Sequence, residues 1–173
     1  NKIPYQISEN VTIVPTYKLN STLFFNQILS KVIEFNKIKD YLIQFEFSIF
    51  GGKKVIPSFL LALLGLKMLN KNVSITLHQV ATNLNELSGH LGLTRNSLKT
   101  KFLNLSLNIF YRTVGFLTNK IIVHDELLKT RLSEYVNSKK IEVIPHAIGD
   151  ESVKNITPRM INVARQEFGF RKS

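Results

Sequence analysis

Three of the chain's four histidines stand directly after short apolar runs. His78 ends Thr76-Leu77-His78-Gln79, His124 follows Ile121-Ile122-Val123, and His146 follows Val143-Ile144-Pro145. A neutral imidazole donates to a sugar or other hydroxyl, and a protonated one stabilises a departing phosphate. A further run ends in Gln44-Phe45-Glu46-Phe47-Ser48-Ile49-Phe50-Gly51-Gly52. Its paired glycines allow positive φ and close approach of a ligand, and N–H groups at the following helix start could hold an anion. Plainer readings stand beside these. Glu46 can cap or pair locally within a tight turn. His78 can be a satisfied loop-edge histidine, Asp125 can cap the next helix, and His146 can line a cleft or only the chain's exit. The fourth histidine, His90, lies in a long polar stretch. No two histidines sit at ligand spacing on one element, so no metal is expected.

Such residues matter only if the chain gathers them. Val11 to Tyr17, Tyr41 to Phe45, Val73 to Leu77, Ile121 to His124 and Ile141 to Ile144 are rich in Val and Ile, and several are apolar on both faces. That pattern predicts strands of a parallel sheet. Helical periodicity fills the intervals, over Leu23 to Phe35, Ser58 to Leu69, Leu98 to Leu117 and around Leu127 to Val136. The alternation predicts right-handed crossovers and an α/β fold: a Rossmann-like, doubly wound, mostly parallel sheet with helices on both faces. In such a fold the strand ends named above share the carboxyl edge, where ligands bind. Gln79 to Asn96 is a polar insertion broken by Gly89, His90 and Gly92, a length more often functional or mobile than inert. Ile156 to Phe168 reads as a helix beyond the last strand. The expected organisation is a Rossmann-like domain over residues 1–150 and a connector helix over 151–173.

Composition bounds the function. The 173 residues are 44% hydrophobic, enough for a real core. Cysteine is absent, which excludes disulfides and thiolate metal sites and suits a reducing compartment. The longest apolar run, Val55 to Leu66, is too short to span a bilayer. The formal net charge of +11 draws anionic partners without choosing among them. There is no Gly-x-Gly-x-x-Gly, P-loop, nucleophile elbow or helix-turn-helix. Nucleic-acid binding therefore rests on charge alone and is not expected. The balance of charge and the apolar side of Leu98 to Leu117 suggest instead a cytoplasmic protein seated peripherally on an anionic membrane surface.

Four segments resemble a known family in the right order across residues 41 to 147. Gln44 to Gly52 resembles the Gln-His-Glu-(aromatic)-Gly-Ile-Phe-Gly-Gly segment of retaining GT-B glycosyltransferases of family 4. Thr76-Leu77-His78 is similar to that family's Thr-(Leu/Phe)-His, Val123-His124-Asp125 to its Val-His-Ser, and Val143-Ile144-Pro145-His146-Ala147 to its Val-Ile-Pro-His-Gly at the interdomain exit. The first segment is fairly specific and the other three are weak alone. The chain departs from the pattern at Phe45 for His, Ser48 for Gly and Ala147 for Gly. The family's glycine-rich first strand–helix unit is not visible upstream of Val11.

The resemblance implies an acceptor-binding half, with His78 near the transfer site facing the donor and with Glu46, Gly51 and Gly52 shaping the acceptor side. Gln79, His124 and His146 join them as expected substrate contacts. It implies a nucleotide-sugar co-substrate held mostly by a second domain expected beyond Phe170, a sugar acceptor that is lipid-linked or membrane-proximal, and no further cofactor. The competing class is a non-catalytic Rossmann-like module for an anionic ligand, nucleic acid or protein partner.

Overall fold

The computed structural model describes residues 4–47, 55–85 and 94–146, together with Thr157. The chain opens with strands β1 (Tyr5–Ser8) and β2 (Val11–Ile13). They pair antiparallel as an isolated hairpin. The expected strand from Val11 to Tyr17 is thus shorter and belongs to no parallel sheet. Only Glu9 and Asn10 separate it from β1, and so tight a connection permits antiparallel pairing alone.

Strand and helix then alternate as predicted. The order is α1 (Phe24–Glu34), β3 (Asp40–Phe45), α2 (Ile56–Met68), β4 (Asn72–Leu77), α3 (Leu98–Leu117), β5 (Lys120–Val123), α4 (Glu126–Ser133) and β6 (Ile141–Val143). The four later strands form one all-parallel sheet in the order β3-β4-β5-β6. The fold is therefore the expected α/β class, a parallel sheet flanked by helices in the manner of Rossmann-like doubly wound domains.

The register explains the core. Ile43 pairs with Ile75, Ile75 with Ile121, and Ile121 with Ile141, so one row of isoleucines crosses the sheet. Strand side chains alternate faces. Val73, Ile75, Leu77, Ile121 and Val123 on this face are fully buried. Against them pack Phe59 of α2, Phe110 and Val114 of α3 and Leu132 of α4. On the opposite face Leu42, Gln44, Lys120 and Glu142 are exposed. At the middle of that face Thr76 is buried, and Ser74 and Ile122 are half-buried.

Two glycines set the helix spacing. A Cβ on Gly65 of α2 would lie 2.6 Å from Leu29 of α1, and one on Gly115 of α3 would lie 2.7 Å from Val136. Lysines finish the helices. The Lys71 ammonium donates to the carbonyls of Asn36 and Ile38 beyond α1, at 2.6 and 2.7 Å. Lys140 donates to those of Gly115 and Thr118 at 2.8 Å, and Lys67 to that of Phe116 at 2.6 Å. A cation at the last carbonyls of a helix meets both its unpaired acceptors and its negative dipole end.

Candidate functional site

In a parallel sheet every strand ends on the same edge, and neighbouring strands lie about 4.8 Å apart. Residues just beyond β4, β5 and β6 are therefore gathered however far apart they stand in sequence. His78 follows β4 directly, His124 follows β5 directly, and His146 follows β6 after Ile144 and Pro145. Two backbone bonds extend the ladder into this region. The His78 N–H donates to the Phe45 carbonyl at 3.3 Å, and that of Ile144 donates to Val123 at 2.9 Å.

The three imidazoles form one cluster. His78 Nδ1 and His124 Nε2 are 3.3 Å apart. The rings of His124 and His146 stack with centroids 3.6 Å apart, and those of His78 and His146 lie 5.8 Å apart. One ligand atom from each residue falls within 4.8 Å of the others. The expectation against a metal trio considered spacing along a single element. Adjacent parallel strands remove that objection, because here three elements each contribute one histidine.

Two neighbours fix the imidazoles. His78 Nε2 lies 2.9 Å from Gln44 Oε1, on the adjacent strand. His124 Nδ1 lies 3.0 Å from the Ile144 carbonyl oxygen. The Ile144 carbonyl only accepts, so His124 Nδ1 carries its proton as donor, whereas the Gln44 amide presents oxygen or amino group to His78 according to the tautomer of that ring. The sequence reading singled out the segment holding Gln44 but gave Gln44 itself no role. Its register two residues before Glu46, on the strand beside His78, is the signal that would have found it.

The other expected site residues fall into three groups. Glu46 is half-buried just beyond β3, and Gln79 is exposed next to His78; both lie at the carboxyl edge. Asp125 is the N-cap of α4, accepting from the Leu128 N–H at 2.7 Å, which bears out the capping reading. Gly51, Gly52, Ser48, His90, Ala147 and, apart from Thr157, the expected connector helix lie outside the described residues. Phe45, the largest departure from the family pattern, points into the core. It is 3% exposed, and its ring centroid lies 4.7 Å from that of Phe59 and 5.2 Å from that of Phe110. At this position the chain has a packing residue rather than an edge residue.

The described part of the polar insertion is tied to α3. The Ala81 N–H donates to the Tyr111 hydroxyl at 3.0 Å, and that of Leu84 donates to Asn104 Oδ1 at 2.8 Å. Asn96 and Asn85 join its two described ends at 2.8 Å. A separate apolar groove of about 450 Å³ lies between the hairpin, α1, α2 and the outer edge of β3. Tyr41 and Phe59 are among its walls, and none of the histidines lines it.

Chemically, the edge offers two oriented imidazoles, a third stacked on them, and a carboxylate nearby. Such a set can donate to hydroxyls, accept from them, and bind an anion when charged. Compared with protein-family models, with curated proteins and with solved structures, the chain matches none.

Proposed function

We propose that this chain is the acceptor-binding half of a glycosyltransferase, which moves a sugar from a nucleotide-sugar donor to a hydroxyl acceptor when joined to a donor-binding domain. The observation that carries the reading is the convergence of His78, His124 and His146 on one carboxyl edge beside Glu46. These are the residues the family resemblance marks, and a glycosyl acceptor needs polar groups of this kind at such an edge.

In this reading no covalent chemistry falls to the half described here. Gln44 engages one nitrogen of the His78 ring, and the other lies 3.3 Å from His124 at the carboxyl edge. His78 then hydrogen-bonds the reacting sugar, and Glu46 and Gln79 orient acceptor hydroxyls. Catalysis comes from positioning and from dipoles fixed before the reaction, with closure of the donor domain excluding water. The isolated chain binds acceptor weakly and transfers nothing, so turnover by the 173-residue chain alone would contradict the proposal. The test is transfer by the chain joined to its donor domain, across a panel of nucleotide sugars, with and without His78.

The acceptor lies at an anionic membrane surface, and α3 supports this. Leu98, Phe102, Leu105, Ile109 and Phe116 are each more than half exposed. Their spacing of three, four and seven residues puts them on one stripe, opposite the face that buries Phe110 and Val114. Exposed Lys99, Lys101 and Arg112 flank the stripe, and the helix has no acidic residue. That combination seats a helix in the headgroup region. Among the described residues no helix is long and apolar enough to cross a membrane.

A further inference from the structure

We propose that His78, His124 and His146 bind one divalent late first-row metal ion, with zinc as the reference occupant. The proposal stands on the cluster's own geometry and does not rest on glycosyl transfer.

The argument begins with the protons. The Ile144 carbonyl can only accept, so His124 Nδ1 carries a hydrogen and Nε2 presents its lone pair. With the Gln44 amide oxygen turned to His78, Nε2 carries the hydrogen and Nδ1 presents its lone pair. These two lone pairs then face each other across 3.3 Å. Two neutral acceptors at that distance repel. A metal cation between them satisfies both lone pairs; with the Gln44 amide reversed, His78 Nδ1 instead donates to His124 Nε2.

The distance suits a metal. Two imidazole nitrogens bound to one tetrahedral zinc at about 2.0–2.1 Å are about 3.3 Å apart. His146 supplies the third ligand. Its atom is within 4.8 Å of the other two, and the remaining gap of about 1.5 Å is within reach of a change in side-chain torsion. His146 is the exposed member of the three. Coordination would exchange its stacking on His124 for a converging geometry.

The surroundings also fit. Metal-bound histidines usually donate their second N–H to a carbonyl or carboxylate, which fixes the ring and raises its basicity. Gln44 and Ile144 already supply that support. The cluster contains no carboxylate, so hard cations such as Mg²⁺ and Ca²⁺ are disfavoured and imidazole-preferring Zn²⁺, Co²⁺ and Ni²⁺ are favoured. Three protein ligands leave a fourth position for water, a hydroxyl or a phosphate oxygen.

The experiment is equilibrium dialysis of the 173-residue chain, free of any affinity tag, against Zn²⁺, with metal counted by elemental analysis. Cobalt(II) absorption reports the coordination geometry. The expected result is one zinc per chain, with tetrahedral cobalt bands in the visible. His124→Ala should abolish both signals, and Gln44→Leu should weaken zinc affinity about 10–100-fold. His90→Ala, a change outside the cluster, should leave affinity unaltered. Far-ultraviolet circular dichroism of each variant separates lost ligation from lost folding. Should His124→Ala fail to fold, His146→Ala carries the same expectation from the more exposed position. Zinc uptake that survives removal of a folded cluster histidine would overturn the proposal. So would absence of uptake by the wild type, which would leave an ordinary hydrogen bond between His78 and His124. No substrate enters the measurement, so its failure leaves the glycosyltransferase reading to be judged on its own test.

Discussion

Gln44 and the Ile144 carbonyl decide what the histidines can do, because each takes one ring nitrogen and leaves the other turned toward the neighbouring histidine. The histidines themselves were legible in the sequence, since each follows an apolar run. Their mutual distances were not, because contacts between strand ends depend on strand order, which no local pattern encodes. Tyr111 shows a similar limit. It reads as one apolar residue of an amphipathic helix, yet its hydroxyl accepts from the Ala81 N–H and is fully buried. Burial pushes its phenol up to about 12, with the Ala81 bond opposing and Tyr135 adding slightly. A folded value above the unfolded one makes the stability contribution constant below about pH 10. As pH rises from there towards 12, the unfolded chain releases this proton while the folded chain keeps it, so stability falls. The slope from this one group reaches at most about 1.4 kcal/mol per pH unit. Urea unfolding of the wild type and Tyr111→Phe across that window checks it. The wild type should lose stability more steeply than the variant, and parallel curves would refute the burial account.

The helix α3 has the bounds its periodicity predicts, and all four strands of the parallel sheet lie within a residue or two of their apolar runs. Those elements are long or strongly patterned, and burial reinforces the pattern. The hairpin departs from the expected parallel strand because β1 and β2 are short and wholly exposed. No burial signal marked β1, and Val11 to Tyr17 carried a Val- and Ile-rich run without a partner strand to fix its direction. Helix packing gives a prediction that only the structure could suggest. Gly65 faces the flexible end of Leu29, whereas Gly115 faces the branched methyls of Val136. Replacing either by Ala gains up to about 1 kcal/mol of helix propensity. Leu29 can yield by changing rotamer, so Gly65→Ala should be near neutral. Val136 is stiff about its first torsion, so Gly115→Ala should cost about 1–3 kcal/mol from overpacking. Thermal melts should therefore place Gly115→Ala clearly below Gly65→Ala, and the reverse order would contradict this packing.

At the scale of the molecule, the charge of +11 is not all available to a partner. Lys67 and Lys140 hold carbonyls at the end of α3, Lys71 holds those of Asn36 and Ile38 in the turn after α1, and Lys31, Lys120 and Lys129 pair with Glu34, Glu142 and Glu126. Composition gave the sum but not this division. What remains around α3 flanks an apolar stripe, so the chain should co-sediment with phosphatidylglycerol vesicles and less with phosphatidylcholine alone. Phe102→Ser with Ile109→Ser should release it even at low salt, because each large apolar side chain withdrawn from water is worth about 1.5–3 kcal/mol. Equal recovery with both lipids would count against the membrane seat. The sheet's carboxyl edge remains the centre of the account, and glycosyl transfer tests it most directly. The chain joined to a donor-binding domain should transfer from a nucleotide sugar, and His78→Ala should lower kcat about 10²-fold or more, as loss of an oriented hydrogen-bonding group at a reacting centre does. Transfer at the wild-type rate without His78, or no transfer by the joined protein from any nucleotide sugar, would contradict it.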